Sequence, residues 1–140
     1  MKIKVKKLHQ DAIVPQYAHP GDAGLDICSL EDYELQLSER HTFKTGISMS
    51  IPEGFVALIW DKSGLAGKYG IKVMGGVIDS GYRGEYLIVL LNTSNKAYTI
   101  KKGDKIAQIL IQPIVSVEVE ETKELDNTDR GDGNFGSTGR

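Results

Sequence analysis

The stretch from Gly75 to Glu85, GGVIDSGYRGE, combines glycines with acidic, aromatic and basic side chains that could do chemistry. A carboxylate at a strand end, here Asp79, could orient and deprotonate a water molecule in a polar cleft. Tyr82 could present a flat face to a sugar or a base, or it could be a core residue. An ordinary hairpin explains the same pattern, because aspartate and glycine are both common in turns.

Two other segments could bind phosphate or a metal ion. In WDKSGLAG, backbone N–H groups at Ser63 and Gly64 could hold an anion, and Lys62 adds positive charge. A capped turn is the simpler interpretation of that segment. In PGDAGLDI, the spacing of Asp22 and Asp26 would place both on one face of a strand, where their oxygens suit Mg²⁺ or its water shell. One turn aspartate and one solvent-facing aspartate is an equally good interpretation.

The C-terminal stretch RGDGNFGSTG carries a further set of candidate ligands. Arg130 could pair with phosphate oxygens, Phe135 could stack on a base, and the hydroxyl of Ser137 could donate to an anion. A disordered tail is the usual fate of such a composition. Gln108 is polar within the apolar run KIAQILI, so its side chain must satisfy backbone groups or face a ligand.

The elements that must position these residues are predicted to be mostly β-strands. Short apolar or alternating runs, separated by glycine-rich turns, favour an all-β sandwich or barrel. The N-terminal stretch MKIKVKKLHQ has the pattern of an edge strand, and SGLAGKYG (63–70) predicts a short helix. The other predicted strands are YELQLSE (33–39), HTFKTGISMSI (41–51), FVALIW (55–60), YLIVLL (86–91), KIAQILI (105–111) and VSVEVE (115–120).

Length and composition narrow the class of protein. A chain of 140 residues suits one domain, and a net charge of -2 argues against a nucleic-acid partner. Cys28 is the single cysteine, so no internal disulfide is possible, which favours a reducing compartment. Because it lies in an apolar strand-like run, Cys28 is predicted to be a buried hydrophobe. No membrane-spanning run and no signal-peptide pattern is present, so we expect a cytoplasmic protein, or a nuclear one in a eukaryotic or viral source, that is not secreted. We predict a domain over 1–121 and a flexible arm over 122–140.

Five segments, in order, resemble the five motifs of the homotrimeric dUTP pyrophosphatases (dUTPases). They are PGDAGLDI, DKSGLAGKYGI, GGVIDSGYRGE, KKGDKIAQILI and RGDGNFGSTG, and together they span residues 20–139. The resemblance implies a jelly-roll-like β barrel that assembles as a homotrimer. It also implies that the C-terminal arm of one chain closes over an active site formed by its neighbours. The implied reaction is the hydrolysis of dUTP to dUMP and pyrophosphate, with Mg²⁺ as cofactor.

The resemblance also implies roles for individual residues. Asp79 matches the aspartate that activates water, Tyr82 matches the tyrosine that packs on deoxyribose, and Asp26 matches an aspartate that contacts Mg²⁺ through water. The hairpin 73–86 would bind uracil mainly through backbone groups, with glycines allowing close approach. The other residues matched to substrate contacts are Lys62, Ser63, Gly64, Gly76, Val77, Ile78, Gln108, Arg130, Phe135, Gly136, Ser137 and Thr138.

One departure from the family pattern concerns the second motif. Asp61 and Lys62 stand where Pro-Arg is common, and lysine cannot reproduce the planar fork of arginine. We expect Asp61 to pair with Lys62. Two alternatives to the pyrophosphatase remain. A dCTP deaminase of the same fold would need a catalytic glutamate and a second motif rich in arginine and serine. A nucleotide-dependent regulatory module would bind dUTP for signalling.

Overall fold

The computed structural model describes residues 1–135, 138 and 139, and those residues form mostly β-strands. Short apolar or alternating runs form strands because each can bury one face, and the glycine-rich turns between them end each strand. The elements in the described residues are β1 (Lys4–Lys7), β2 (Leu25–Cys28), β3 (Tyr33–Leu35), β4 (Arg40–Phe43), β5 (Ile47–Ser50), β6 (Phe55–Trp60), α1 (Ser63–Tyr69), β7 (Ile71–Met74), β8 (Val77–Ile78), β9 (Ile88–Asn92), β10 (Tyr98–Ile100) and β11 (Lys105–Pro113).

All recorded strand pairs are antiparallel, and most of them join strands that are distant in the sequence. The largest sheet has the order β2-β11-β6-β8, and a second sheet has the order β4-β9-β7. Two smaller sheets pair β1 with β5 and β10 with β3. Within the described residues these are four separate sheets and not one closed ring. The predicted all-β class is confirmed.

Buried apolar side chains from strands of all four sheets form one core cluster. In β9, for example, Ile88, Leu90 and Asn92 are buried while Val89 and Leu91 are half-buried, as a period of two requires. Cys28 is 7% exposed, which confirms its predicted burial, and that burial raises the pKa of its thiol. The chain therefore keeps this cysteine as a protonated core residue.

Helix α1 is the short helix that the sequence predicted, and it starts at the second motif. Lys62 occupies the N-cap in extended conformation, without a side-chain capping bond, and Gly70 ends the helix at φ 67°. Left-handed backbone of this kind is readily adopted by glycine. None of the helices in the described part of the chain is long and apolar enough to cross a membrane.

The strand predicted over 115–120 was wrong. Strand β11 ends at Pro113, and the amide of Ile114 donates to the carbonyl of Gly54 at 2.9 Å. Val115 and Val119 are each 87% exposed and form no strand. Alternation predicts a pleated strand only where a partner strand is available, and the described residues of this chain supply none at this point.

Candidate active site

The hairpin 73–86 and strand β6 enclose a cleft of about 300 Å³. The cleft is lined on one side by residues of β7 and β8 and on the other by residues that lead into β9. The structure therefore brings together, within one hairpin, five of the site residues that the sequence predicted. They are Gly76, Val77, Ile78, Asp79 and Tyr82.

Asp79 directly follows β8 and its side chain is exposed at the cleft. Its carbonyl oxygen accepts the amide proton of Tyr82 at 3.1 Å, so the segment is also a turn. The turn interpretation is therefore correct, and the role of Asp79 in activating water stays a prediction. A turn that presents an exposed carboxylate to a cleft can hold a water molecule for attack.

The side chain of Tyr82 is 43% exposed and lines the same cleft, which excludes a fully buried core position. Its hydroxyl donates to the carbonyl oxygen of Glu85 at 3.0 Å. A Cβ atom at Gly84 would lie 2.3 Å from that hydroxyl, so the ring occupies space that glycine leaves open. One face of the tyrosine is thereby available to a ligand.

Gly76 fixes the hairpin against strand β6. Its carbonyl accepts the amide proton of Ile59 at 2.7 Å, and its φ of 113° is strained for any residue with a side chain. A Cβ atom there would lie 2.8 Å from the carbonyl oxygen of Ile59. The cleft wall thus depends on a backbone contact that only glycine permits.

Tyr86 also lines the cleft, and its side chain is fully buried. Its ring centroid lies 6.1 Å from that of Tyr82. Burial raises the pKa of Tyr86 to about 12. Its hydroxyl finds no hydrogen-bond partner in the described part of the chain. An unpaired buried hydroxyl destabilises the folded state, because the group loses its bond to water.

We expect Tyr86→Phe to raise the free energy of unfolding by about 1 kcal/mol, because the substitution removes an unpaired buried group. Denaturant unfolding at fixed chain concentration measures the change. The matched control is Tyr33→Phe, whose hydroxyl donates to Glu39 at 2.5 Å, and which should lower the free energy of unfolding. A loss of stability in Tyr86→Phe would show that its hydroxyl is paired in the assembled protein.

A second group of candidate residues lies at the ends of β2, β6 and β11. Asp26 is 5% exposed and sits opposite Gln108 in the register of β2 and β11. Its carboxylate forms ion pairs with Lys62 and with Lys105, the latter at 2.7 Å. Burial raises the pKa of Asp26, but the two ammonium groups outweigh burial, and the pKa lies below its ordinary value. Asp26 is therefore ionised at neutral pH.

Gln108 contacts the backbone that precedes helix α1. Its Nε2 donates to the carbonyl oxygen of Asp61 at 2.8 Å, so the interpretation that Gln108 satisfies backbone groups is correct. A Cβ atom at Gly24 would lie 2.4 Å from Oε1 of Gln108, so this glycine makes room for the amide. Gln108 thereby links strand β11 to the segment that carries Lys62, Ser63 and Gly64.

The predicted ion pair between Asp61 and Lys62 was wrong. Asp61 accepts the amide proton of Val73 at 2.6 Å and pairs with Lys72 at 2.8 Å, because it lies at the end of β6 beside β7. Lys62 instead contacts Asp26. Asp61 thus ties the second motif to the start of the hairpin that forms the cleft.

The predicted shared face of Asp22 and Asp26 was also wrong. Strand β2 begins at Leu25, and Asp22 lies in a turn, where its carboxylate accepts the amide proton of His19 at 2.8 Å. Asp22 is the turn aspartate of the alternative interpretation, but Asp26 is buried and does not face solvent. Among the described residues, no group of three or more His, Cys, Asp or Glu side chains is placed to hold a metal ion.

Two residues of this region escaped the sequence analysis, Lys105 and Glu85. A lysine at a strand start and a glutamate in a turn are too common to signal a role. Only the register of β2 with β11 shows that Lys105 reaches Asp26. Only the folded hairpin shows that the carboxylate of Glu85 accepts the amide proton of Gly46 at 2.8 Å.

The candidate ligands in the described part of the C-terminal arm are not brought to the cleft. Phe135 is fully exposed, and Thr138 is exposed. Arg130 donates to the carbonyl of Gly133 at 3.1 Å, and the recorded hydrogen bonds in the described part of the arm are all local. The candidates Gly136 and Ser137 lie outside the described residues.

Residues 10–139 match the family model described as dUTPase. The chain belongs to the dUTPase family. It is 46% identical to the deoxyuridine 5'-triphosphate nucleotidohydrolase of Nautilia profundicola, with all of both chains covered. It is 48% identical to the enzyme of the same name from Clostridium tetani, over 99% of this chain and 97% of the relative. The sequence-based identification as a hydrolase of this family is confirmed.

Solved dUTPase structures have the same fold. One is a mutant dUTPase of Staphylococcus bacteriophage 80alpha with dUpNHpp, at a TM-score of 0.93 and 32% identity over 99% of each chain. Another is a mutant dUTPase from phage phi11 of S. aureus, described with a structural Mg(II) ion, at a TM-score of 0.85 and 30% identity. That comparison covers 91% of this chain and 100% of the phage chain. The predicted jelly-roll-like dUTPase fold is confirmed.

Proposed function

We propose that this dUTPase hydrolyses dUTP to dUMP and pyrophosphate, with Asp79 activating the attacking water. The observation that carries the proposal is the cleft that Asp79, Tyr82 and Gly76 line together. The exposed carboxylate of Asp79 and the half-exposed ring of Tyr82 lie at this cleft, beside the backbone of Gly76. Family membership supplies the substrate class, and a structurally similar phage dUTPase holds the analogue dUpNHpp. Asp79, Tyr82 and Gly76 are the residues on which this proposal depends.

In the proposed reaction, a water molecule attacks the α-phosphorus while Asp79 takes its proton. The new bond joins the water oxygen to the α-phosphorus, and the bond from that phosphorus to the bridging oxygen breaks. Pyrophosphate leaves with the electron pair of the broken bond, and dUMP remains. A general base placed beside the attacking water accelerates such a reaction by about 10²- to 10⁴-fold. Exposure of Asp79 at the cleft supports this role.

We propose that the hairpin selects uracil and deoxyribose. Backbone groups of Gly76, Val77 and Ile78 would pair with the uracil edge, and a methyl at C5 would not fit beside them. Cytosine would present the wrong pattern of donors and acceptors, and mispaired buried groups discriminate strongly. The exposed face of Tyr82 would pack on deoxyribose and would clash with a 2′-hydroxyl.

Residues beside helix α1 would bind the phosphates. Ser63 and Gly64 open the helix, Lys62 adds charge, and Gln108 lies behind them. Bound Mg²⁺ would neutralise the triphosphate and fix its geometry. Asp26 suits an outer contact to the ion through water, because it is ionised and buried beside this segment. Lys62 would then be shared between Asp26 and the phosphates.

We propose that three copies of the chain complete the site and that the arm over 122–140 closes on a neighbour. The exposed valines of 115–119 support this proposal, because alternating apolar residues need a partner that the described part of this chain does not provide. Arg130, Ser137 and Thr138 would then contact the γ-phosphate, and Phe135 would cover uracil. With one cysteine in the sequence no internal disulfide can form, which supports a reducing compartment.

Pyrophosphate release from dUTP, dTTP, dCTP and UTP, each with and without Mg²⁺, tests the proposal. Of these four nucleotides, we expect only dUTP to be hydrolysed efficiently, and we expect its hydrolysis to need Mg²⁺. The proposed cleft would reject the C5 methyl of dTTP, the base edge of dCTP and the 2′-hydroxyl of UTP. Ammonia release from dCTP would instead favour the deaminase. Tight binding of dUTP without turnover would favour the regulatory module.

A further inference from the structure

We propose that Glu85 is a positioning residue for Tyr82, and that it sets how strictly the site excludes ribonucleotides. The inference rests on the proposed packing of Tyr82 against deoxyribose. Glu85 lines the same cleft as Asp79 and Tyr82 and is half-buried. Its importance comes from two contacts, one made by its backbone and one by its side chain.

The first contact holds the tyrosine ring. The hydroxyl of Tyr82 donates to the carbonyl oxygen of Glu85 at 3.0 Å. Because the ring is 43% exposed, packing alone restrains it less than a core residue. The position of the Glu85 carbonyl therefore determines where the tip of the ring lies.

The second contact holds that carbonyl in place. Oε1 of Glu85 accepts the amide proton of Gly46 at 2.8 Å, and Gly46 directly precedes strand β5. On either side, the hydroxyl of Ser48 donates to the carbonyl of Arg83 at 2.6 Å, and that of Thr45 donates to the carbonyl of Tyr86 at 2.6 Å. The bonds from Ser48 and Thr45 reach backbone carbonyls of the loop 83–86, whereas the bond from Gly46 reaches a side chain of that loop, that of Glu85. Glu85 thus ties the residue that restrains Tyr82 to the body of the fold.

The space beneath the ring is equally restricted. A Cβ atom at Gly84 would lie 2.3 Å from the hydroxyl oxygen and 2.5 Å from the Cζ atom of Tyr82. Gly84 does not have a positive φ, so a substitution there acts through this steric contact and not through backbone strain. The ring of Tyr82 is therefore held by the carbonyl acceptor of Glu85 at its hydroxyl, and it occupies the space that Gly84 leaves free beneath it.

Exclusion of a 2′-hydroxyl needs this degree of fixation. The substrates dUTP and UTP differ by one oxygen, and a site must hold its groups within about 0.5 Å to reject such a small difference. A ring that relaxes away would admit UTP while still accepting dUTP. The expected signature of a loosened Tyr82 is a rise in kcat/KM for UTP with little change for dUTP.

The test compares the ratio of kcat/KM for dUTP to kcat/KM for UTP in the full-length chain. In Glu85→Ala we expect the ratio to fall about tenfold or more, the effect of losing one partly buried hydrogen bond to a charged group. In Glu85→Gln the amide oxygen can still accept from Gly46, so the ratio should stay within about threefold of wild type. The matched control is Glu39→Ala, because Glu39 also accepts a backbone amide proton, that of Gln36 at 2.6 Å, but outside the cleft. Its ratio should not change.

A double-mutant cycle with Tyr82→Phe tests whether Glu85 acts through the tyrosine hydroxyl. If it does, Glu85→Ala should have much less effect in the Tyr82→Phe background, because the bond it supports is already absent. Additive effects would overturn the proposal, as would an unchanged ratio in Glu85→Ala or an equal loss in Glu85→Gln.

If Glu85→Ala does not fold, Gly84→Ala tests the same proposal, because the added Cβ atom would displace the ring of Tyr82. It should also lower the ratio, and an unchanged ratio would overturn the proposal. Turnover of dUTP by the wild-type chain is measured first. Its absence would contradict the proposed function, whereas turnover with unaltered discrimination in these variants would contradict only the role of Glu85.

Discussion

Asp79→Asn should lower kcat for dUTP by about three orders of magnitude, because an amide cannot take the proton of the attacking water. Binding of dUpNHpp should stay within a few-fold of wild type, since asparagine keeps the size and much of the polarity of aspartate. Steady-state pyrophosphate release measures the first quantity, and titration calorimetry with dUpNHpp measures the second. A large loss of kcat with retained binding would place Asp79 at the chemical step.

The control for this prediction is Glu53→Gln, which removes an exposed negative charge from the turn before β6. It should leave both quantities unchanged. Equal losses of binding and turnover in Asp79→Asn would assign the residue to substrate binding. Unchanged turnover would remove it from the mechanism altogether.

Truncation after Asp129 should reduce kcat/KM for dUTP by at least about 100-fold while leaving the chain folded. The arm ligands would be lost, and the site would no longer be closed from water. Stability should change little, because Phe135 is fully exposed and the described arm residues make only local hydrogen bonds. Turnover, thermal melting and light scattering on the same preparation measure activity, folding and assembly.

A mixing experiment shows whether the arm acts on its own chain or on a neighbour. The truncated chain keeps Asp79 but lacks the arm, and full-length Asp79→Asn keeps the arm but lacks the base. When the two are co-expressed, activity should return if the arm of one chain closes a site that contains Asp79 of another. No recovery in confirmed mixed assemblies would mean that each arm serves its own chain. Loss of assembly on truncation would mean that the arm is structural.

The fold was predictable wherever the signal was local. Strand β6 matches the apolar run FVALIW, and the helix ends at a glycine as expected. The run VSVEVE failed for a physical reason. Alternation determines which side chains share a face, but it does not determine whether a partner strand lies in the same chain.

The same limit applies to the candidate site. Asp79 and Tyr82 lie three residues apart in one turn, so sequence placed them together. Lys62 and Asp26 are 36 residues apart, and their contact depends on how β2, β11 and β6 align. Pairing of Asp61 with Lys72 likewise depends on β7. Contacts set by the register of distant strands could not be read from residue types and spacing.

The bonds from Thr45, Gly46 and Ser48 to the loop 83–86 also affect how the cleft responds to a nucleotide. These bonds form when the chain folds. The conformational entropy lost in ordering the loop 83–86 therefore lowers the stability of the fold and does not weaken ligand binding. Under the proposed function, the wall that would meet the base is therefore ordered before any nucleotide arrives. If the C-terminal arm closes over the site as proposed, recognition of the base and closure of the site belong to separate parts of the polypeptide.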